Sequence, residues 1–194
     1  MTFPGSKTYR QRRDVVGGTS GCGSQGESAK WKAAVVNRFV REHGIESVID
    51  FGCGDGNQLA LAEYPCYLGV DVARRAIRLC RRRFRGDKTK RFLLDRQYAG
   101  ERADLALSLD VIYHLIEDDV FDLYMRRLFR AAKRCVLIYS TNTERQKEGQ
   151  PEHIRHRQFT DWIAHNFPVW QMTDHFGRDA QAKVEFFFYR RSPA

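Results

Sequence analysis

The chain has 194 residues, 42% of them hydrophobic and 12% aromatic, enough for one domain with a real core rather than a disordered segment. Its formal charge is +9, its five cysteines (Cys22, Cys53, Cys66, Cys80, Cys135) show neither a C-x-x-C pair nor metal-ligand spacing, and no apolar run approaches membrane-spanning length. These features exclude a disulfide framework, a cysteine metal centre and a spanning helix; with no apolar leader at the start of the sequence, the expected location is cytoplasmic.

Residues 1–26 are polar and glycine-rich, most densely at Gly17-Gly-Thr-Ser-Gly-Cys-Gly-Ser24. They read as a flexible segment or as a lid in which Tyr9 and the serines reach a ligand. Residues 27–194 read as a single domain. A helical period over 28–43 puts Trp31, Val35, Val36, Phe39 and Val40 on one side, with Gly44 as its stop. A strand is expected at 46–51, a short helix from Asn57 to just before Pro65, a strand at 66–71, an arginine-rich helix at 73–85, and strands at 90–95 and 103–110. Glu117-Asp-Asp119 puts carboxylates at a helix start, and Val120, Phe121, Tyr124, Leu128 and Phe129 form that helix's buried stripe. The run 135–140 is nearly all apolar, as in a strand covered on both faces. A polar loop of about sixteen residues follows, long enough to suggest function or mobility. Thr160 then caps a short helix to about Asn166, and strand-like runs close the sequence at 168–174 and 183–190. No internal repeat is present. Alternating β and α elements predict an α/β fold with a doubly wound, mostly parallel sheet.

The first strand runs straight into Gly52-Cys-Gly-Asp-Gly56. Glycines at alternate positions strip side chains from the turn, so a ligand can approach the backbone. A dinucleotide fingerprint, G-x-G-x-x-G, would need glycine where Asn57 stands. Fifteen residues past Gly56, Leu68-Gly-Val-Asp71 ends the second strand on an acid. Backbone under one end and a carboxylate at the other is an arrangement that grips a nucleoside.

From about Val48 to Ser140 this pattern resembles the class I S-adenosylmethionine-dependent methyltransferase family. The resemblance implies a Rossmann-like seven-stranded sheet whose last strand inserts antiparallel, and S-adenosylmethionine as cofactor on Gly52, Gly54 and Gly56. It further implies Asp50 near the methionine amino group, Asp71 on the ribose and Asp95 near the adenine. Leu107-Ser-Leu-Asp-Val-Ile-Tyr-His-Leu115 looks like the fourth strand and the turn where cofactor and acceptor meet, which brings in Asp110. Carboxylates 50, 71, 95 and 110 at strand ends suit a cationic cofactor; nothing at metal-ligand spacing joins them, so no metal is expected.

Methyl transfer from a sulfonium is an in-line displacement, so the protein must place the acceptor and remove its proton. His114 is the candidate base, a histidine's ordinary pKa suiting proton removal near neutrality; its alternative role is to orient the loop or help hold the cofactor. Glu152-His-Ile-Arg-His-Arg157 supplies a second cluster: His153, Arg155, His156 and Arg157 form either a cationic rim for an anionic or hydroxyl-rich small acceptor or a solvated loop. An oxygen acceptor, such as a hydroxyl of a sugar or secondary metabolite, is expected because the fourth strand ends Ser-Leu-Asp-Val rather than in the Asn/Asp-Pro-Pro-Tyr signature of enzymes that methylate planar amino groups. Ten Lys or Arg lie between Arg74 and Arg91. They read as a solvated helix face; the alternative is a basic face for nucleic acid, which would make the protein an RNA methyltransferase. A further alternative for the protein as a whole is a non-catalytic partner subunit that keeps the cofactor fold.

Overall fold

The computed structural model describes residues 22–179 and 183–192. Of the lid-or-tail reading of residues 1–26, residues 1–21 lie outside the described residues, while Cys22–Ser24 form a 3-10 turn and the first α-helix begins at Gly26. Seven strands form one sheet: β1 (Ser47–Phe51), β2 (Cys66–Asp71), β3 (Lys90–Leu94), β4 (Ala103–Leu109), β5 (Ala132–Ser140), β6 (Trp170–Gly177) and β7 (Glu185–Arg191). Their spatial order is β3-β2-β1-β4-β5-β7-β6. Neighbours from β3 through β5 run parallel, and β7 inserts antiparallel between β5 and β6. The order turns back between β1 and β4, and in open α/β sheets ligands bind beyond the carboxyl ends of the strands at such a switch point.

Helices α1 (Gly26–Glu42), α2 (Arg74–Arg83), α3 (Asp118–Ala131) and α4 (Phe159–Asn166) cover the two faces. Strand side chains alternate between the layers. Leu105, Leu107, Cys135, Leu137, Tyr139, Phe186 and Phe188 pack with Val36, Phe39 and Val40 of α1 and Ile77 and Cys80 of α2. Ala106, Val136, Ile138, Phe187 and Tyr189 face the other way, toward Phe121, Met125 and Leu128 of α3 and Phe159 and Ile163 of α4. Both faces are apolar because both are covered, which is why Cys135 to Tyr139 of β5 read as a continuous hydrophobic run. No helix among the described residues is long and apolar enough to cross a membrane.

Three elements differ from the sequence reading. Thr160, expected to cap the short helix, lies inside α4, whose N-cap is Gln158. The helix expected from Asn57 is a single 3-10 turn, Leu59–Leu61. Leu59 is buried but Leu61 is exposed, so no apolar stripe repeats to hold a longer helix against the sheet. The fifth strand starts at Ala132 rather than at 135, because α3 passes into it with no intervening turn.

Candidate active site at the carboxyl edge of the sheet

The glycine turn leaves β1 with Gly52, Gly54 and Gly56 at φ values of 89°, 63° and 81°, a left-handed region that disfavours side chains. At Gly52 the constraint is also steric: a Cβ there would lie 2.4 Å from Val111 Cγ2. The Gly54 N–H donates to Asp71 Oδ2 at 2.9 Å, and the Ala73 N–H donates to Asp71 Oδ1 at 2.8 Å. Asp71 thus ties the turn after β1 to the start of α2. Next to it, Asp50 Oδ2 accepts from the Tyr67 hydroxyl at 2.8 Å. Burial pushes the Asp50 carboxyl up to about 7, with the Tyr67 hydrogen bond opposing and the negative charge of Asp71 adding to the rise.

Asp110, just past β4, is the one non-glycine residue at positive φ among the described residues, at 59°. It is held there by two partners. The Tyr113 hydroxyl donates to Oδ1 at 2.8 Å, and Lys32 of α1 forms an ion pair with Oδ2. Lys32 is 1% exposed, and its ammonium lies 5.2 Å from the centre of the Tyr139 ring. Residues 22–24 come close here as well: a Cβ on Gly23 would sit 3.0 Å from Asp110 Oδ2. At the end of β3, Asp95 Oδ1 accepts from Arg127 of α3 at 2.9 Å.

His114 ends a 3-10 turn, Ile112–His114. Its Nδ1 lies 3.1 Å from the carbonyl of His153, and the two rings stack with centroids 5.4 Å apart. A carbonyl can only accept, so Nδ1 carries the proton, and the lone pair of the neutral ring falls on Nε2. The loop that brings His153 is fastened by two arginines. The Arg155 N–H donates to the Tyr113 carbonyl at 2.8 Å, and its guanidinium reaches the Ile116 carbonyl at 2.7 Å and Asp118 at 2.9 Å. Arg157 donates to the carbonyls of Leu115 and Ile116 and to Asp118 Oδ1, while its guanidinium covers the Phe121 ring at 4.6 Å. Burial alone would raise the Asp118 carboxyl, but hydrogen bonds from Arg157 and Arg155 outweigh it and hold the group below the ordinary carboxylate value.

The residues singled out in the sequence therefore divide. Gly52, Gly54, Gly56, Asp50, Asp71 and Asp110 converge on the carboxyl ends of β1, β2 and β4, with Asp95 at the end of β3. His114 and His153 meet beyond β4. Arg157 differs from its expected place on an open rim: it is 7% exposed, and its fork is engaged by the loop after β4. Arg155 is engaged similarly, and His156 Nδ1 lies 2.7 Å from the Thr141 hydroxyl. The sequence reading passed over Lys32, although a lysine three and four positions ahead of Val35 and Val36, on the buried side of its helix, was a legible signal. Tyr67, Arg127 and Asp118 carried no comparable mark. Among the described residues, no three His, Cys, Asp or Glu side chains group as a metal site would require.

Residues 49–137 match a family model described as a methyltransferase domain, and the seven-stranded sheet with its last strand inserted antiparallel is the one the class I resemblance implies. This chain carries a methyltransferase domain on the class I fold. Its cofactor is S-adenosylmethionine, and the donor set fits that group: a turn without side chains beside carboxylates, one of them held near neutrality by burial and open to stabilisation by a cation. This methyltransferase is similar in structure to magnesium protoporphyrin IX methyltransferase (ChlM) from Synechocystis PCC 6803 with bound S-adenosylmethionine, at 15% identity and a TM-score of 0.70, covering 95% of this chain and 96% of that one. It is also similar to the methyltransferase domain of bacterial CtHen1-C, at 17% identity and a TM-score of 0.68 over 84% of this chain and 98% of that one. The N-methyltransferase NodS from Bradyrhizobium japonicum WM9 aligns at 13% identity and a TM-score of 0.64, covering 86% of this chain and 98% of that one. Among curated proteins none matches the sequence.

Proposed function

We propose that this methyltransferase transfers a methyl group to a hydroxyl of a small polar acceptor, such as a sugar or a secondary metabolite. In this reading the backbone of Gly52, Gly54 and Gly56 underlies the cofactor, Asp71 takes the ribose, Asp50 faces the amino group, Asp95 lies toward the adenine, and Asp110 stands between cofactor and acceptor. The cofactor supplies a methyl group on a sulfonium, which is an activated leaving group. The protein's remaining tasks are to hold the acceptor in line and to remove its proton.

One observation carries the reading: the His114 Nδ1 contact to the His153 carbonyl, which leaves Nε2 as the basic nitrogen. As the acceptor oxygen gains the methyl group, its proton passes to that nitrogen, and the sulfur keeps the electron pair of the broken bond. His153 and His156 would line the acceptor's approach, with Arg155 and Arg157 holding the wall in place. NodS is an N-methyltransferase; at its level of identity the likeness extends to the fold, not to the atom methylated.

The test pairs hydroxylated acceptors with their amine congeners and follows release of S-adenosylhomocysteine. Turnover of hydroxyl acceptors is expected, and His114→Gln should lower kcat by about 10²–10⁴-fold while leaving cofactor affinity in place. Turnover confined to the amines, or a His114→Gln variant as fast as the parent, would overturn the proposal.

A further inference from the structure

We propose that the solvent face of α2 and the turn after it bind the phosphate backbone of a nucleic acid. The first observation is charge segregation. The chain holds 33 Lys and Arg against 24 Asp and Glu, while the stretch from Arg74 to Arg91 holds ten cations and one acid, Asp87. That stretch alone accounts for the whole excess of +9, and everything outside it is balanced at 23 of each sign. A generally arginine-rich surface would not concentrate its charge in one helix and one turn.

The second observation is exposure without neutralisation. Arg74, Arg75, Arg78, Arg82, Arg85, Lys88 and Arg91 are exposed, and among the described residues the one ion pair in the stretch joins Lys90 to Asp87. Arg74, Arg78 and Arg82 follow one another at four-residue steps, so their side chains stand about 5–6 Å apart along one stripe. Like charges at that spacing repel and oppose the helix that carries them; a polyanion laid along the stripe reverses the sign of the effect. Arg81 and Arg83 are engaged differently. Arg81 donates to the Phe92 carbonyl at 2.7 Å, and Arg83 donates to Asn57 Oδ1 at 2.6 Å, which joins the basic face to the glycine turn.

The chemistry of the face selects the partner. Eight of the ten cations are arginines, whose planar fork fits phosphate oxygens in pairs. Ala76, Ile77 and Cys80, the buried residues of α2, are packed in the core, so the helix has no apolar face to insert into a lipid surface. The cluster presents no exposed large apolar anchor of the kind that centres a protein interface. Phe84 and Phe92 pack against each other rather than offering stacking platforms, so the face reads backbone charge and not bases. The face lies beside β2 and β3, whereas His114 lies beyond β4. The surface therefore serves to hold a nucleic acid beside the enzyme, and it stands apart from the hydroxyl acceptor proposed above.

Fluorescence anisotropy with labelled single-stranded RNA, duplex RNA and duplex DNA tests this between about 50 and 200 mM salt. Binding of at least one of the three is expected, weakening with salt at a log–log slope of about −0.9 for each phosphate neutralised on a duplex, and the ranking of the three identifies the preferred form. The variant Arg78→Gln/Arg82→Gln/Arg85→Gln should flatten the slope by about 2–3 and weaken low-salt binding by about tenfold or more. A control, Arg130→Gln/Lys133→Gln/Arg145→Gln, removes the same charge from other faces and should change affinity by no more than about twofold. Thermal unfolding and cofactor calorimetry on both variants confirm that each is folded. Equal losses in the two variants, no binding of any oligonucleotide by the parent, or tight binding to phosphatidylserine vesicles with none to nucleic acid would each overturn the proposal. No methyl transfer enters the assay, so its outcome is independent of the acceptor's identity.

Discussion

The two ends of the site are built differently. The part around β1 and β2 is held by backbone and by neighbours in sequence: Asp71 receives the N–H groups of Gly54 and Ala73, seventeen and two residues away. The part beyond β4 is held by long side chains reaching across the chain: Arg157 closes on Leu115, Ile116 and Asp118, some forty residues earlier, and Lys32 reaches Asp110 from 78 residues away. A turn made of backbone can be fixed by a short motif. A wall assembled from distant arginines is set by tertiary packing and carries no such motif.

Breaking the first part should cost the most. Gly52→Ala places a methyl against Val111 in a left-handed backbone. It should destabilise the protein by about 2–4 kcal/mol and weaken S-adenosylmethionine binding by about tenfold or more, read by denaturant unfolding and calorimetry. Arg157→Ala comes next. It strips partners from the carbonyls of Leu115 and Ile116 and from Asp118, and should cost about 1–3 kcal/mol. Its signature is kinetic: kcat falls with His114 displaced, cofactor affinity holds, and Arg157→Lys, which keeps the charge without the fork, recovers part of the loss. If Gly52→Ala lowered only kcat, or Arg157→Ala lowered only cofactor affinity, the division between the two parts would be wrong.

The smallest effect is also the most specific. Asp50 titrates near 7 because it is buried, and its ionised form suits a cationic ligand. Cofactor affinity should rise as pH climbs through 7, by up to about tenfold per unit on the acid side, and level off above. Asp50→Asn should remove that part of the pH dependence, with the ligand's own amino group titrating equally in both proteins. The unliganded protein should respond in the opposite sense. A carboxyl whose folded pKa lies above its unfolded value contributes stability at low pH that is lost as pH rises from about 4 toward 7, so the parent's Tm should fall over that window more than the variant's.

This contrast also explains what could be read from the sequence. The glycine turn and the acid that ends the second strand were legible because a left-handed backbone favours glycine and Asp71 ties neighbouring strand ends through backbone N–H groups, both local requirements. The alternating strands and the face-by-face split of the core were legible for the same reason, since period and spacing are local. The short helix after the turn was over-read: residues 57–64 contain apolar side chains, but Leu61 points to solvent and nothing in the sequence marks it. Arg157 was placed on an open rim because an arginine in a polar loop reads as solvated. That its fork would find two carbonyls and a carboxylate across the loop is a property of tertiary packing. The arginine stripe and the charge balance of the rest of the chain were both legible as composition; that the stripe faces water without neutralising partners is a property of the folded protein.

The antiparallel insertion of β7 has a practical consequence for anyone preparing this enzyme. Arg190 pairs with Cys135 at the entry of β5, so the polypeptide leaves the last strand on the rim opposite the chemistry. Residues 22–24, by contrast, run beside Asp110. A bulky group introduced at Gly23 would stand against Asp110, whereas the same group at Arg191 would stand at the opposite rim of the sheet.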